Sequence, residues 1–238
     1  MAEYGRYCPV SIATEILADR WTPLIVRELV LGNTRFNDIA RGLPGISRTL
    51  LVNRLRHLER RGILDTWPSP AGHGREYHLT AAGRDLERVI EVLGTWAIDW
   101  FFDEVRPEEV DAVTLVWWMH RRVDPSALPP HRVVVRFHFT GEQPQSLWML
   151  LDRGEPSVCL TSPGFDDDVV VVTTIPTLSD VFHGRRSWTA AVAAEDIEVC
   201  GQPRLAAALP RWFVWSPFAE ATRARLSRVA TGVPASGH

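Results

Sequence analysis

Between positions 41 and 61 the chain carries six arginines, Arg41, Arg48, Arg54, Arg56, Arg60 and Arg61, against a single acid, Glu59. Six minus one leaves a local balance of +5 in a chain whose formal net charge is −3, so the whole-chain sum hides a concentrated positive field. Such a field suits a surface that meets a phosphate backbone. Cys8 is the one candidate for thiol chemistry. It stands at the expected start of a helix, where unpaired backbone N–H groups favour a thiolate. Catalytic patterns are lacking. No GxSxG, P-loop or GxGxxG occurs, and His120, His131, His138 and His183 do not have HExxH-type spacing. Asp166, Asp167 and Asp168 are consecutive and cannot all face one ion, so they read as a solvated turn. No catalytic residue, cofactor or metal site is expected, and the three cysteines, Cys8, Cys159 and Cys200, are too scattered for a disulfide framework or a zinc site.

The elements that position the arginines follow from periodicity and punctuation. Ile12, Ala13, Ile16 and Leu17 recur at helical spacing over 10–17, and Leu24, Ile25 and Leu29 do so over 21–30. Gly32-Asn33 stops the second helix. Thr34 is expected to cap a short helix holding Phe36, Ile39 and Ala40, and 42–45 (Gly-Leu-Pro-Gly) forms a turn. Ser47 is the next N-cap. From it Leu51, Leu55 and Leu58, at i, i+4 and i+7, define one buried stripe, while Thr49, Asn53, Arg56 and Arg60 face the other way, flanked by Arg48 and Arg54. Gly62 ends this helix. Strands over 63–67 and 76–79 then make a hairpin with a long tip, and Thr80 caps a helix through Leu86, Val89, Ile90, Leu93 and Ala97 to about 102. Its apolar stripe is longer than a small domain can cover, which calls for a partner surface.

Residues 8–100 resemble the HxlR family of winged helix-turn-helix regulators. The resemblance rests on Cys8-Pro9-Val10, Asp19-Arg20-Trp21-Thr22, Arg35-Phe36-Asn37-Asp38-Ile39, Pro44-Gly45-Ile46-Ser47, the Leu51, Leu55, Leu58-Glu59 and Gly62-Ile63-Leu64 series, and Glu76-Tyr77-His78-Leu79-Thr80 with Gly83. Asp19 departs from it, since members often carry glycine there, and the change is read as altering a turn. The resemblance implies a homodimer bound to double-stranded DNA, with a recognition helix in the major groove. Arg48, Thr49 and Asn53 are then the base-reading candidates, because Arg pairs bidentately with guanine and Asn with adenine. Arg54, Arg56 and the wing residues His73 and Arg75 are placed as phosphate contacts. Some members of that family sense oxidants through a cysteine at the position of Cys8; the other reading of Cys8 is a small apolar residue near a dimer interface.

The second half holds six of the ten tryptophans and alternates valine-rich strands with helices, which separates it from the first. Val133, Val135, Phe137 and Phe139 alternate with Val134, Arg136, His138 and Thr140, a strand with one apolar face. Further strands are expected over 147–151, 158–161, 168–174 and 197–201. Helices are expected from a Thr177 cap through Phe182, over 188–194, and last over 203–212. This order, with Leu178, Gly184, Trp188, Ala191, Ile197, Val199, Gly201 and Leu205 at their spacings, resembles the C-terminal part of sterol-carrier-protein-like domains, which often hold an apolar ligand.

The expectation is therefore a mainly α winged helix-turn-helix domain over 1–106 and an α+β sterol-carrier-like domain over 107–238. The whole is read as a DNA-binding, dimeric transcriptional regulator without enzymatic activity. Its second domain would sense an apolar or amphipathic effector in a pocket that includes Val133, Val135, Phe137, Phe139 and Trp188. The alternative is a lipid-carrier module using the winged helix for dimerisation or protein contact. With 45% hydrophobic and 23% charged residues, no apolar run near the roughly 20 residues of a membrane helix and no signal-like N-terminus, a cytoplasmic protein without membrane contact is expected.

Overall fold

The computed structural model describes residues 8–70, 72, 74–101, 111–154 and 156–231. They fall into two compact units, 1–94 and 95–238. The division lies inside a single helix rather than at 106/107, a boundary that falls outside the described residues.

The first unit runs α1 (Pro9–Leu17), α2 (Thr22–Val30), α3 (Phe36–Arg41), α4 (Arg48–Arg60), β1 (Leu64–Pro68), β2 (Arg75–Leu79) and α5 (Ala81–Phe101), which continues past the division. Its core holds Ile25 and Leu29 of α2, Ile39 of α3 and Leu51, Leu55 and Leu58 of α4, as expected from the spacing, closed by Leu43, Ile63 and Leu64; Val26 takes the place expected of Leu24, which is exposed, and α1 buries none of its residues. Ser47 caps α4 by accepting from Leu50 N at 3.2 Å. Thr80 ties α5 to the end of α4: its Oγ1 donates to Gly62 O at 2.7 Å and accepts from Gly83 N at 3.2 Å. Gly83 must be glycine here, because a Cβ would stand 2.1 Å from the Ile63 carbonyl oxygen. Thr34 does not cap α3. The N-cap is Arg35, without a side-chain bond, because the backbone there is drawn to the edge of the hairpin: Tyr77 N donates to Thr34 O at 2.8 Å and Arg35 bridges Glu76.

Among the described residues one charged side chain lies wholly inside this unit. Glu28 is fully buried, with Arg27 at 2.7 Å and Asn33 Nδ2 at 2.7 Å from its two carboxylate oxygens. Gly42 leaves it room, since a Cβ there would come within 1.9 Å of Glu28 Oε2.

The second unit contains α6 (Ala112–His120), β3 (Val133–Thr140), β4 (Gln145–Leu151), β5 (Ser157–Cys159), β6 (Val169–Thr174), α7 (Ile175–Phe182), α8 (Trp188–Ala193), β7 (Ile197–Gly201), α9 (Pro203–Ala208) with a 3-10 turn Leu209–Trp212, and α10 (Ala219–Ala230). The five strands form one sheet in the order β5-β4-β3-β6-β7, antiparallel throughout except for the parallel pair β3 and β6. A parallel neighbour requires a crossover, and the stretch 160–168 supplies it. Asp168 anchors its end by accepting from Val134 N at 2.9 Å, and Asp167 accepts from Trp148 Nε1 at 2.9 Å and forms an ion pair with Arg136, whose Nε lies 2.9 Å away. The acidic run is thus structural at two of its three positions.

Thr174, not Thr177, caps α7, accepting from Thr177 N at 3.2 Å; Pro176 then occupies the first turn, where its missing N–H costs nothing. α6 and α10 were not expected from spacing. α6 is apolar nearly all round, so it shows no amphipathic stripe, and it lies in the core with Leu115, Val116 and Met119 buried. It starts at Asp111, whose carboxylate accepts from Thr114 N at 2.8 Å.

His183 sits beside Trp118 and Phe182, its Nδ1 2.9 Å from Ser179 O. Burial, and secondarily Arg185, hold its pKa below the usual 6.5, against the raising effect of the Ser179 carbonyl. The unfolded chain therefore protonates first, and the contribution of neutral His183 is complete above pH 6.5 and lost as pH falls through its folded pKa. A urea midpoint that declines between pH 7 and 5.5, with a shallower decline in His183→Gln, is the expected result; an unchanged slope in that variant would contradict it.

Candidate nucleic-acid interface

Helix α4 holds its side chains by a simple rotation argument. With Leu51, Leu55 and Leu58 committed to the core, Thr49, Asn53 and Arg56 point away from it, and all three are exposed. None of the three makes a side-chain hydrogen bond or ion pair among the described residues, so their polar ends remain available to another molecule. Together with Arg48, Val52 and Phe36 of α3 they border one open groove of about 440 Å³. Arg48 is aimed by its neighbours: its guanidinium lies 5.0 Å from the Phe36 ring centroid and donates to Asn37 Oδ1 at 3.0 Å. Phe36 and Asn37 are thus site residues that charge and hydrogen-bonding logic alone overlooked.

Arg54 is placed differently from the other arginines. It lies at the flank of the buried stripe, one helical turn from both Leu51 and Leu58, and pairs with Asp19 in the connection between α1 and α2. Its side chain is 26% exposed. The Asp19 carboxylate does more than alter a turn, because it holds α4 against the preceding helices. Beside this pair, burial, then Arg61 and Arg60, and more weakly Arg54, keep His57 below its ordinary pKa, with Asp19 opposing. The reverse face of α4 is therefore anchored, while the outward face is open.

In the wing, Arg75 opens β2 opposite Pro68, exposed and without an ion-pair partner among the described residues. His73 lies outside the described residues. Cys8 is the N-cap of α1, half-buried, and its carbonyl accepts from Ile12 N at 3.2 Å and Ser11 Oγ at 2.7 Å. Val133, Val135, Phe137 and Phe139 are all fully buried in one contiguous apolar cluster of the second unit, with Trp188 packed at its margin. Among the described residues no group of three or more His, Cys, Asp or Glu is placed to hold a metal ion, and no helix is long and apolar enough to cross a membrane.

Helices α2 to α4, the last of them basic and outward-facing, followed by a two-stranded wing, make up a winged helix-turn-helix domain, an architecture of DNA-binding regulators. The family model described as HxlR-like helix-turn-helix matches residues 16–104. The HTH-type transcriptional regulator sll1512 of Synechocystis is 36% identical over 103 residues, covering 43% of this chain and 76% of the relative. On that similarity, the chain belongs to the HxlR-like helix-turn-helix family. The HTH-type transcriptional regulator Rv3095 of Mycobacterium tuberculosis is 44% identical over 100 residues, covering 42% of this chain and 61% of the relative, less than two thirds of its length. The solved structure of the reduced form of the regulator YodB from B. subtilis is 31% identical, covers 41% of this chain and 98% of that one, and has a TM-score of 0.37.

Proposed function

We propose that the protein is a homodimeric DNA-binding regulator that reads an operator with α4. The carrying observation is the groove face: Thr49, Asn53 and Arg56 are exposed and unpaired, and Arg48 is oriented across Phe36 at the N-terminal end of the same helix. In helix-turn-helix proteins the N-terminal part of the recognition helix meets base edges. Arg48, Thr49 and Asn53 are assigned to base readout, Arg56 and Arg75 to phosphates. His73 keeps its expected phosphate role as a wing residue. Arg54 is reassigned, since its charge is already spent on Asp19.

Arg48→Ala or Asn53→Ala is expected to cost about 1 to 3 kcal/mol of discrimination between operator and random duplex, the value of one bidentate base contact. Arg75→Ala should weaken both duplexes alike and flatten the salt dependence by about one phosphate contact. Fluorescence anisotropy on an operator selected from a random library reads both. Equal losses on specific and random DNA in the first pair would refute the division of roles.

Two regulatory inputs belong to this reading. Cys8, at a helix start and half-exposed, is proposed as a redox sensor, for which an oxidant should alter operator affinity in the wild type but not in Cys8→Ser. The second unit is proposed as a sterol-carrier-like sensor of an apolar or amphipathic effector. The sheet face that would line its pocket is filled by its own side chains, so a ligand entering there has to displace core contacts around Phe137 and Phe139. Lipid recovered from the purified protein by mass spectrometry, and a change in operator affinity on adding it back, would support that role; neither result leaves the unit as an interaction module.

A further inference from the structure

The first unit has a second depression, of about 640 Å³, that shares no lining residue with the groove on α4. It is bounded by the end of α2 at Leu29, by β1 and β2, and by the first turns of α5. In the strand register Asp65 pairs with His78 and Trp67 with Glu76, so these four share one face of the hairpin, and the lining takes Asp65, Trp67 and His78 from that face and Tyr77 and Leu79 from the other. Trp67 stacks on His78 with ring centroids 4.4 Å apart. That contact covers one indole face, yet Trp67 remains 56% exposed, which leaves the opposite face open.

The charges around this indole are unbalanced. Asp65 on β1 and Glu87 on α5 both line the depression, and neither has an ion pair or hydrogen bond among the described residues. The single cation of the lining, Arg84, has one guanidinium N–H bound to Leu79 O at 2.7 Å. Two carboxylates against one guanidinium leave a net charge of −1 beside an open aromatic face on a rigid strand. A face of this kind attracts a cation through the ring quadrupole, and the carboxylates add to the attraction.

From this geometry we infer that the depression is a binding site for a small aromatic ammonium compound. The cationic head sits between Trp67 and the carboxylates of Asp65 and Glu87, and the ring lies along the end of α2 at Val30. The site does not depend on DNA binding by α4, and its test does not use DNA. It does adjoin both wing strands and the start of α5, so occupancy bears on the same hairpin that carries Arg75.

Indole N–H resonances of the full-length 15N-labelled protein provide the readout. The peak missing from Trp67→Leu identifies Trp67, and the nine remaining tryptophan signals report whether that variant stays folded. Titration with benzyltrimethylammonium should shift the Trp67 peak saturably, with benzyl alcohol weaker and benzoate without effect. Trp67→Leu, followed by calorimetry, is expected to weaken binding about threefold to thirtyfold. The double change Asp65→Asn with Glu87→Gln should abolish the preference for the cation over benzyl alcohol, while Asp85→Asn, on α5 but outside the lining, should keep it. Benzoate binding as well as the cation, a cation preference that survives in the double variant, or an unshifted Trp67 peak would each overturn the inference.

Discussion

A chain carrying Val92→Asp is expected to sediment as a monomer and to lose about 100- to 10,000-fold in operator affinity. The physical case starts on α5, where Val89, Val92, Leu93, Trp96 and Trp100 recur at i, i+3, i+4, i+7 and i+11, all on one side of the helix and all exposed. Val92 is 68% and Phe101 70% exposed, and Val10 and Ile12 of α1 are exposed as well. A run of large apolar side chains in water is costly unless another surface removes it, and a second copy offers the self-complementary patch that a two-fold dimer requires. Two recognition helices then reach half-sites roughly 34 Å apart. Once one half is bound, the other binds at high effective concentration, an advantage on the order of 10² to 10⁴ that the monomer forfeits. Charge at position 92 should remove it without touching either hydrophobic core. Analytical ultracentrifugation and anisotropy on the same samples check both effects. A wild-type protein that is monomeric at micromolar concentration would end the dimer proposal, whatever the variant does.

The second large effect concerns stability. Arg27→Ala is expected to destabilise the first unit by about 3 to 5 kcal/mol, the usual loss when one partner of a buried ion pair is removed. Glu28 is fully buried and accepts both from Arg27 and from Asn33, so without Arg27 its carboxylate is left buried with no cation bonded to it. Arg27 also donates to Gly42 O at 3.1 Å, which joins the pair to the connection between α3 and α4. Gly42→Ala should injure the same place by a different route, since its methyl group needs the space of the Glu28 carboxylate. Replacing both Arg27 and Glu28 by apolar residues of similar size should recover much of the loss. Urea unfolding followed by circular dichroism tests this. An Arg27→Ala protein within about 0.5 kcal/mol of wild type would mean that the pair is solvated and the argument wrong.

Much of the first unit was legible in order. The leucine stripe of α4, the Ser47 and Thr80 caps and the hairpin are local features, set by side-chain periodicity and by which residues can bond their own backbone, and they appear where spacing places them. The outward direction of Thr49, Asn53 and Arg56 follows from that stripe. In the second unit the strand over 133–140 was equally plain, because alternation survives when one face of a sheet is buried. α6 escaped because a helix buried on nearly all sides has no polar face to give it a period.

Pairings between distant residues could not be read in this way. Nothing local marks Asp19 as the partner of Arg54, Phe36 as the support of Arg48, or Gly42 as the space for Glu28. An arginine in a sequence is a charge with a long, flexible stem, and only the neighbours supplied by other elements decide whether that charge faces solvent or is already spent. Likewise the alternation of Val133, Val135, Phe137 and Phe139 determined that one face of β3 would be apolar, but whether helices would fill that face or leave a cavity depended on the volumes of side chains far away in the chain. Composition and periodicity determined the elements, the basic helix and the family likeness; tertiary packing decided which of the six arginines carry an ion pair within the chain.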